Sequence, residues 1–248
     1  MKRSRRWYGL LVVAATMLMF GALGQTDIKT IIIDATEDAY VVTDIADVED
    51  EQGFREKNYG DLEFLKTWYA WGVVGDERLV SIDLVKFNLA ELKGKEVESA
   101  MLQLYARTAN LREPARLVDV HRVREAWSED DVTFNSRPSW DPAPIATPAI
   151  YGAGGWYSWN ITGSVIEAVR SGEVSVAVAL RSVAEESEEQ VVFVSTEGLS
   201  KMPRLMVTVQ ATPTDIPIWI WFVIGALVIV ILSVGFMAVR RPWNRAKA

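Results

Sequence analysis

The sequence predicts an all-β fold, a jelly-roll-like β-sandwich with one short helix, followed by a C-terminal transmembrane helix. Short runs rich in Val, Ile, Thr and aromatic residues recur between turn signals, the pattern of a sandwich. One stretch alone has helical spacing with a capping residue before it and a glycine after it. The block 216–239 contains no charged residue.

The chain opens with MKRSRRW, four basic residues and no acid, and stays apolar from Tyr8 to Leu23. That is the layout of a signal peptide over 1–24, with Ala22 and Gly24 at the small positions before a cut, or of an uncleaved signal anchor. Strands are expected at Thr30–Asp34, Ala39–Thr43, Leu62–Tyr69, Leu79–Phe87, Val97–Ala106, Arg116–Val123, Trp156–Asn160, Val174–Leu180, Gln190–Val194 and Arg204–Val209. In Ser99–Tyr105 the residues Ala100, Leu102 and Leu104 share one face, and Met101, Gln103 and Tyr105 the other. The segment Thr162–Gly172 reads as helix: Thr162 or Ser164 caps it, Val165, Ile166 and Val169 form its apolar face, and Gly172 closes it. The acid-rich run 185–189 reads as a solvated loop.

The segments 25–209, 210–215, 216–239 and 240–248 divide into an exterior sandwich, a short linker, a span and a basic tail. As a helix, 216–239 would extend about 36 Å, enough for a hydrocarbon core of ~30 Å. Trp219 and Trp221 suit an interfacial belt, and Arg240, Arg241, Arg245 and Lys247 place the tail in the cytoplasm. The expected location is the cell membrane, with the main domain extracytoplasmic. The linker reaches at most about 20 Å, which keeps the domain near the outer face.

All 33 acids lie between Asp27 and Asp215, against 18 Lys and Arg in the same stretch, a net charge of −15. Such a surface repels polyanions, so nucleic acid is not expected as a partner. An acidic polysaccharide would need a local basic groove or bridging cations. The chain has no cysteine, which removes thiol catalysis and thiolate metal sites.

The stretch AWSEDDVTFNSRP, Ala126 to Pro138, gathers Glu129, Asp130 and Asp131 between a tryptophan and a short apolar run. Glycoside cleavage needs two carboxyls facing across a sugar, which neighbouring acids in one turn do not supply. The reading here is a structural corner, with Val132–Phe134 starting the next strand. Calcium stays open as an alternative, because carboxylates suit a hard cation, although no EF-hand spacing supports it. No other cofactor is expected. His121, the only histidine, reads as an ordinary strand residue, and no serine has a nucleophile elbow.

Several elements in order carry a family resemblance. They are Asp38–Val41, Asn58-Tyr59-Gly60, Val85–Leu89, Val97–Tyr105, Val118–Val123 with Trp127-Ser128-Glu129 and Val132–Pro138, Gly155–Thr162, and Phe193–Glu197 with Pro203-Arg204-Leu205. Over about 170 residues the chain resembles the DNRLRE family, exported β-sandwich domains grouped with carbohydrate-binding modules and disaggregatase-related proteins. It departs from the family's pattern at Ser81–Leu84, where an Arg is common, at Asn88 and Asn160, which replace aspartates, and at Phe134, which replaces a tryptophan.

By that resemblance Trp127, Trp156 and Trp159 are framework residues and belong to the core. Trp68, Tyr69, Trp71 and Trp140 lie outside the framework and are the candidate glycan-binding residues, since a sugar's C–H face stacks on an aromatic plane. The Asn160-Ile161-Thr162 sequon reads as a framework turn into the helix. The expected function is a non-catalytic, membrane-anchored surface domain that binds polysaccharide or cell-envelope components. The alternatives are a structural or adhesive protein contacting other envelope proteins, and a polysaccharide-degrading enzyme.

Overall fold

Strand β1 (Ile28–Val42) runs through what the sequence reads as two strands. Its first half pairs with β10 (Arg204–Gln210) and its second half with β3 (Arg78–Asn88). The interval between the two expected strands contains a register shift between Ala35 and Glu37. Such a bulge bends a strand without ending it. β1 therefore passes from one layer of the fold to the other.

The structure, a computed structural model, describes residues 28–42, 53–71, 78–111, 115–183, 189–210 and 218–239. The expected signal segment 1–24, most of the linker, the acidic loop up to 188 and the basic tail lie outside the described residues. Residues Asp27–Gln210 form one unit, and the C-terminal helix belongs to another.

Within the first unit the described strands pair antiparallel throughout. The first layer holds the start of β1, β10, β4 (Glu96–Asn110), β9 (Glu189–Val194) and β2 (Phe64–Trp71), with β7 (Gly155–Asn160) on β4. The second holds the end of β1, β3, β8 (Ser175–Ser182), β5 (Arg116–Val123) and the two-residue β6 (Ala149–Ile150). Pairing of Tyr69–Trp71 with Arg78–Val80 joins the layers a second time.

The core lies between the layers. Leu65, Leu102, Leu104, Phe193, Leu205 and Val207 from the first layer pack with Val85, Phe87, Val120, Val178 and Leu180 from the second. The helix α1 (Thr162–Ser171) adds Val165 and Ala168 and ends at Gly172, whose φ of 76° is left-handed. Its start differs from the expected cap: Ile161 is the capping residue and has no side-chain bond. Asn160 Oδ1 instead accepts from the Thr162 N–H and hydroxyl, and Thr162 Oγ1 accepts from Ala100 N–H. The sequon site is thus a turn that locks α1 onto β4.

The second layer is covered on its outer side as well. Ala39, Val41, Ile82, Leu84, Val123, Ala177 and Ala179 form a second apolar cluster with Val132, and Trp127, Phe134 and Trp140 pack against it. This is why β8 reads as a continuous apolar run without alternation. It also corrects the expected strand at Val132–Phe134. That segment has turns and no strand, because its apolar side chains cap a sheet face and its backbone extends no ladder.

Asp83 is one of several titratable side chains buried in the fold. It is fully buried on β3, its Oδ2 accepts from Thr67 Oγ1 at 2.5 Å, and its Oδ1 has no partner. Burial pushes its pKa up to about 7, against 3.8 for an ordinary Asp. From about pH 4 to about pH 7 the unfolded chain has lost a proton that the folded state keeps. Stability contributed by this group therefore falls as pH rises through that window and is flat above it. Asp83→Asn keeps an acceptor for Thr67, and we expect it to flatten this slope, removing on the order of 4 kcal/mol of pH-dependence at most. Urea unfolding at pH 4 and pH 8 checks it; equal slopes for both proteins would contradict the assignment.

The second unit contains α2 (Ile218–Val239), 22 residues of helix without a charged side chain. Its length is about 33 Å. Over the described side chains, which in α2 form only short runs, no helix is long and apolar enough to cross a membrane.

Candidate functional site

The alternation in β4 that buries Ala100, Leu102 and Leu104 turns Met101, Gln103 and Tyr105 outward, and all three are half-buried. Antiparallel partners share a face, so the register extends this surface sideways. Tyr105 sits opposite Trp156 and Gln103 opposite Ser158 on β7. On the other edge Gln103 faces Arg204 and Met101 faces Met206 of β10, which lie opposite Asp34 and Ile32 of β1.

The side chains on this face are connected. Arg204 Nε donates to Gln103 Oε1 at 2.9 Å, and Gln103 Nε2 donates to Ser158 Oγ at 3.0 Å. The Tyr105 and Trp156 rings meet edge to face, with centroids 5.6 Å apart and planes at 74°. Arg204 Cζ lies 4.0 Å from the Trp156 centroid, and Lys201 Nζ lies 3.7 Å from that of Tyr105. Lys201 has a left-handed φ of 64° in the loop before β10. Two aromatic rings, two cations and an amide–hydroxyl ladder thus occupy one solvent-facing patch of a strongly acidic domain.

Sequence reasoning missed this patch by assigning Trp156 to the core. Trp159 is fully buried, whereas Trp156 is half-buried and Trp127 is half-buried against the second cluster with Lys86 Nζ 4.4 Å over its ring. The period-two pattern of 99–105 contained the signal, since it already put Tyr105 on the face opposite the core.

The candidate glycan-binding residues occupy separate places in the fold. Trp68 packs partly against the main core, with Lys66 Nζ 4.1 Å over its ring. Tyr69 and Trp71 lie on β2, and their side chains are outside the described residues. Trp140 bridges to Val123, packs against the second cluster, and lines an open groove with Glu125, Arg137, Pro138 and Ser139. Trp68 and Trp140 therefore rest on different apolar clusters.

The acids of 129–131 separate as well. Asp130 and Asp131 are exposed, while the half-buried Glu129 meets Asp38 of β1 and Glu197 of the loop after β9. One oxygen from each lies within 4.8 Å of the others. Asp38 has no exposed surface; its Oδ2 accepts from Thr196 N–H at 2.8 Å, and its Oδ1 has no partner. Burial above all, with the neighbouring carboxylates adding to it, pushes Asp38 up to about 8 and Glu129 up to about 7.

No curated protein matches the chain. Residues 29–209 match carbohydrate-binding module family 96, a stretch that covers β1 through β10 almost end to end. The patch of Tyr105 and Trp156 and the acid cluster both lie inside it, and by that match the chain belongs to carbohydrate-binding module family 96.

Proposed function

We propose that the domain binds a polysaccharide, without cleaving it, on the face that carries Tyr105, Trp156, Gln103, Ser158, Lys201 and Arg204. The observation that carries this reading is the pairing of half-buried, outward-facing aromatic rings with hydrogen-bonding groups on one sheet face of a carbohydrate-binding module. Ring faces accept the C–H side of a sugar, and the amide, hydroxyl and guanidinium fix its hydroxyls. Two rings at 74° frame a corner, which suits a single soluble chain better than a flat crystalline surface. Lys201 and Arg204 supply local positive charge that an acidic sugar would need on this domain.

Cleavage has no support from the acid cluster. Asp38 is fully buried, so a sugar cannot be flanked by Asp38 and its neighbours. The finer resemblance to the DNRLRE family agrees with an exported binding module. Trp68, Tyr69, Trp71 and Trp140 are the alternative contact residues, Trp68 and Trp140 resting on separate clusters.

Titration of purified 27–210 with neutral and uronate-bearing polysaccharides tests the reading. Saturable binding without release of reducing ends is expected, weaker at high salt for the uronate polymer. Release of sugar products would overturn the non-catalytic part, and no binding to any polymer would overturn the whole.

The charge-free helix α2 supports a membrane anchor, with the domain outside and the basic tail inside. Protease added to intact cells is expected to remove the domain while a C-terminal tag stays protected. A digested tag with a surviving domain would invert this topology.

A further inference from the structure

We propose that Asp38, Glu129 and Glu197 form a binding site for one divalent, oxygen-preferring cation of the calcium type. The three carboxylates come from segments remote in sequence: β1, the turn after β5, and the loop between β9 and β10. Calcium holds carboxylate oxygens at about 2.3–2.6 Å, so ligands on opposite sides of the ion stand about 4.6–5.2 Å apart and all others closer. Oxygens within 4.8 Å of one another meet that requirement.

Asp38 provides the independent observation. It is a fully buried carboxylate with one oxygen engaged by Thr196 N–H and the other, Oδ1, without a partner. A buried charged oxygen left unpaired is costly, and buried carboxylates as a rule are paired or hold a metal. None of the ion pairs among the described residues involves Asp38, Glu129 or Glu197. Lys86, the cation close by, is bound to Glu37 and to Trp127 O. The cluster thus gathers three carboxyl groups with no described cation paired to them, and a divalent ion would supply the counter-charge.

The surroundings hold Glu129 in place. Asn58 Nδ2 donates to Glu129 O at 2.6 Å and to Val132 O at 2.8 Å, and Asn58 Oδ1 accepts from Gly60 N–H. A Cβ on Gly60 would stand 2.6 Å from both Glu129 Cγ and its carbonyl oxygen. The Asn58-Tyr59-Gly60 element and the glutamate of Trp127-Ser128-Glu129 therefore serve one purpose, positioning this carboxylate beside Asp38. Asp38 N–H also donates to Glu129 Oε1 at 3.3 Å. Bound calcium would pin β1, the 127–132 turn and the 195–203 loop together.

Purified 27–210, stripped with EGTA, is titrated with calcium chloride by calorimetry and unfolded thermally with and without the ion. One equivalent is expected to bind, and saturation to raise the Tm by about 5–10 °C, reversed by EGTA. Glu197 is exposed, so Glu197→Gln should fold normally, yet bind calcium at least tenfold more weakly; Asp130→Asn should bind as the parent does. No heat and no Tm change at millimolar calcium would overturn the proposal. Unaltered calcium affinity in Glu197→Gln would overturn it too.

Discussion

Trp159→Ala is expected to lower the unfolding free energy by about 3–5 kcal/mol, as for other fully buried large aromatic residues. Trp159 has no exposed surface and stands edge-on to Phe193, with centroids 5.9 Å apart. Its indole Nε1 donates to Val118 O at 3.1 Å, so a residue of β7 is tied to β5 through the core. Truncation leaves both a cavity and a buried carbonyl without its donor. Trp156→Ala removes a half-buried ring and should cost less than half as much. Urea titration of the two variants, compared at equal m-value, checks the ranking. A larger loss for Trp156→Ala would place the core tryptophan wrongly.

Binding should show the reverse order. Tyr105→Ala or Trp156→Ala is expected to weaken saccharide binding by about 30-fold each, near 2 kcal/mol, with the fold retained. Lost ring area and the release of Lys201 and Arg204 from their places both contribute. Trp68→Ala and Trp140→Ala serve as the contrast, because those rings rest on the core and on the second cluster. If they abolish binding while Tyr105→Ala and Trp156→Ala leave it intact, the contact surface is the alternative one.

The sequence by itself determined the β-rich character, most strand positions, the helix ending at Gly172 and the charge-free C-terminal block. Each of these is written in local spacing: alternation over a few residues, a 3.6-residue period, or a run without charge. The tertiary structure alone decided three things. It made one strand of two by bending β1 at Ala35/Glu37, because a bulge shifts the register without ending the strand. It buried Trp159 and left Trp156 half-exposed, since three positions in one strand reverse the face, and only pairing with β4 says which face is the core. It also drew Glu129 away from Asp130 and Asp131 to Asp38 and Glu197, residues 91 and 68 positions distant. Contacts at such separations depend on how sheets pack and leave no periodic trace in the chain.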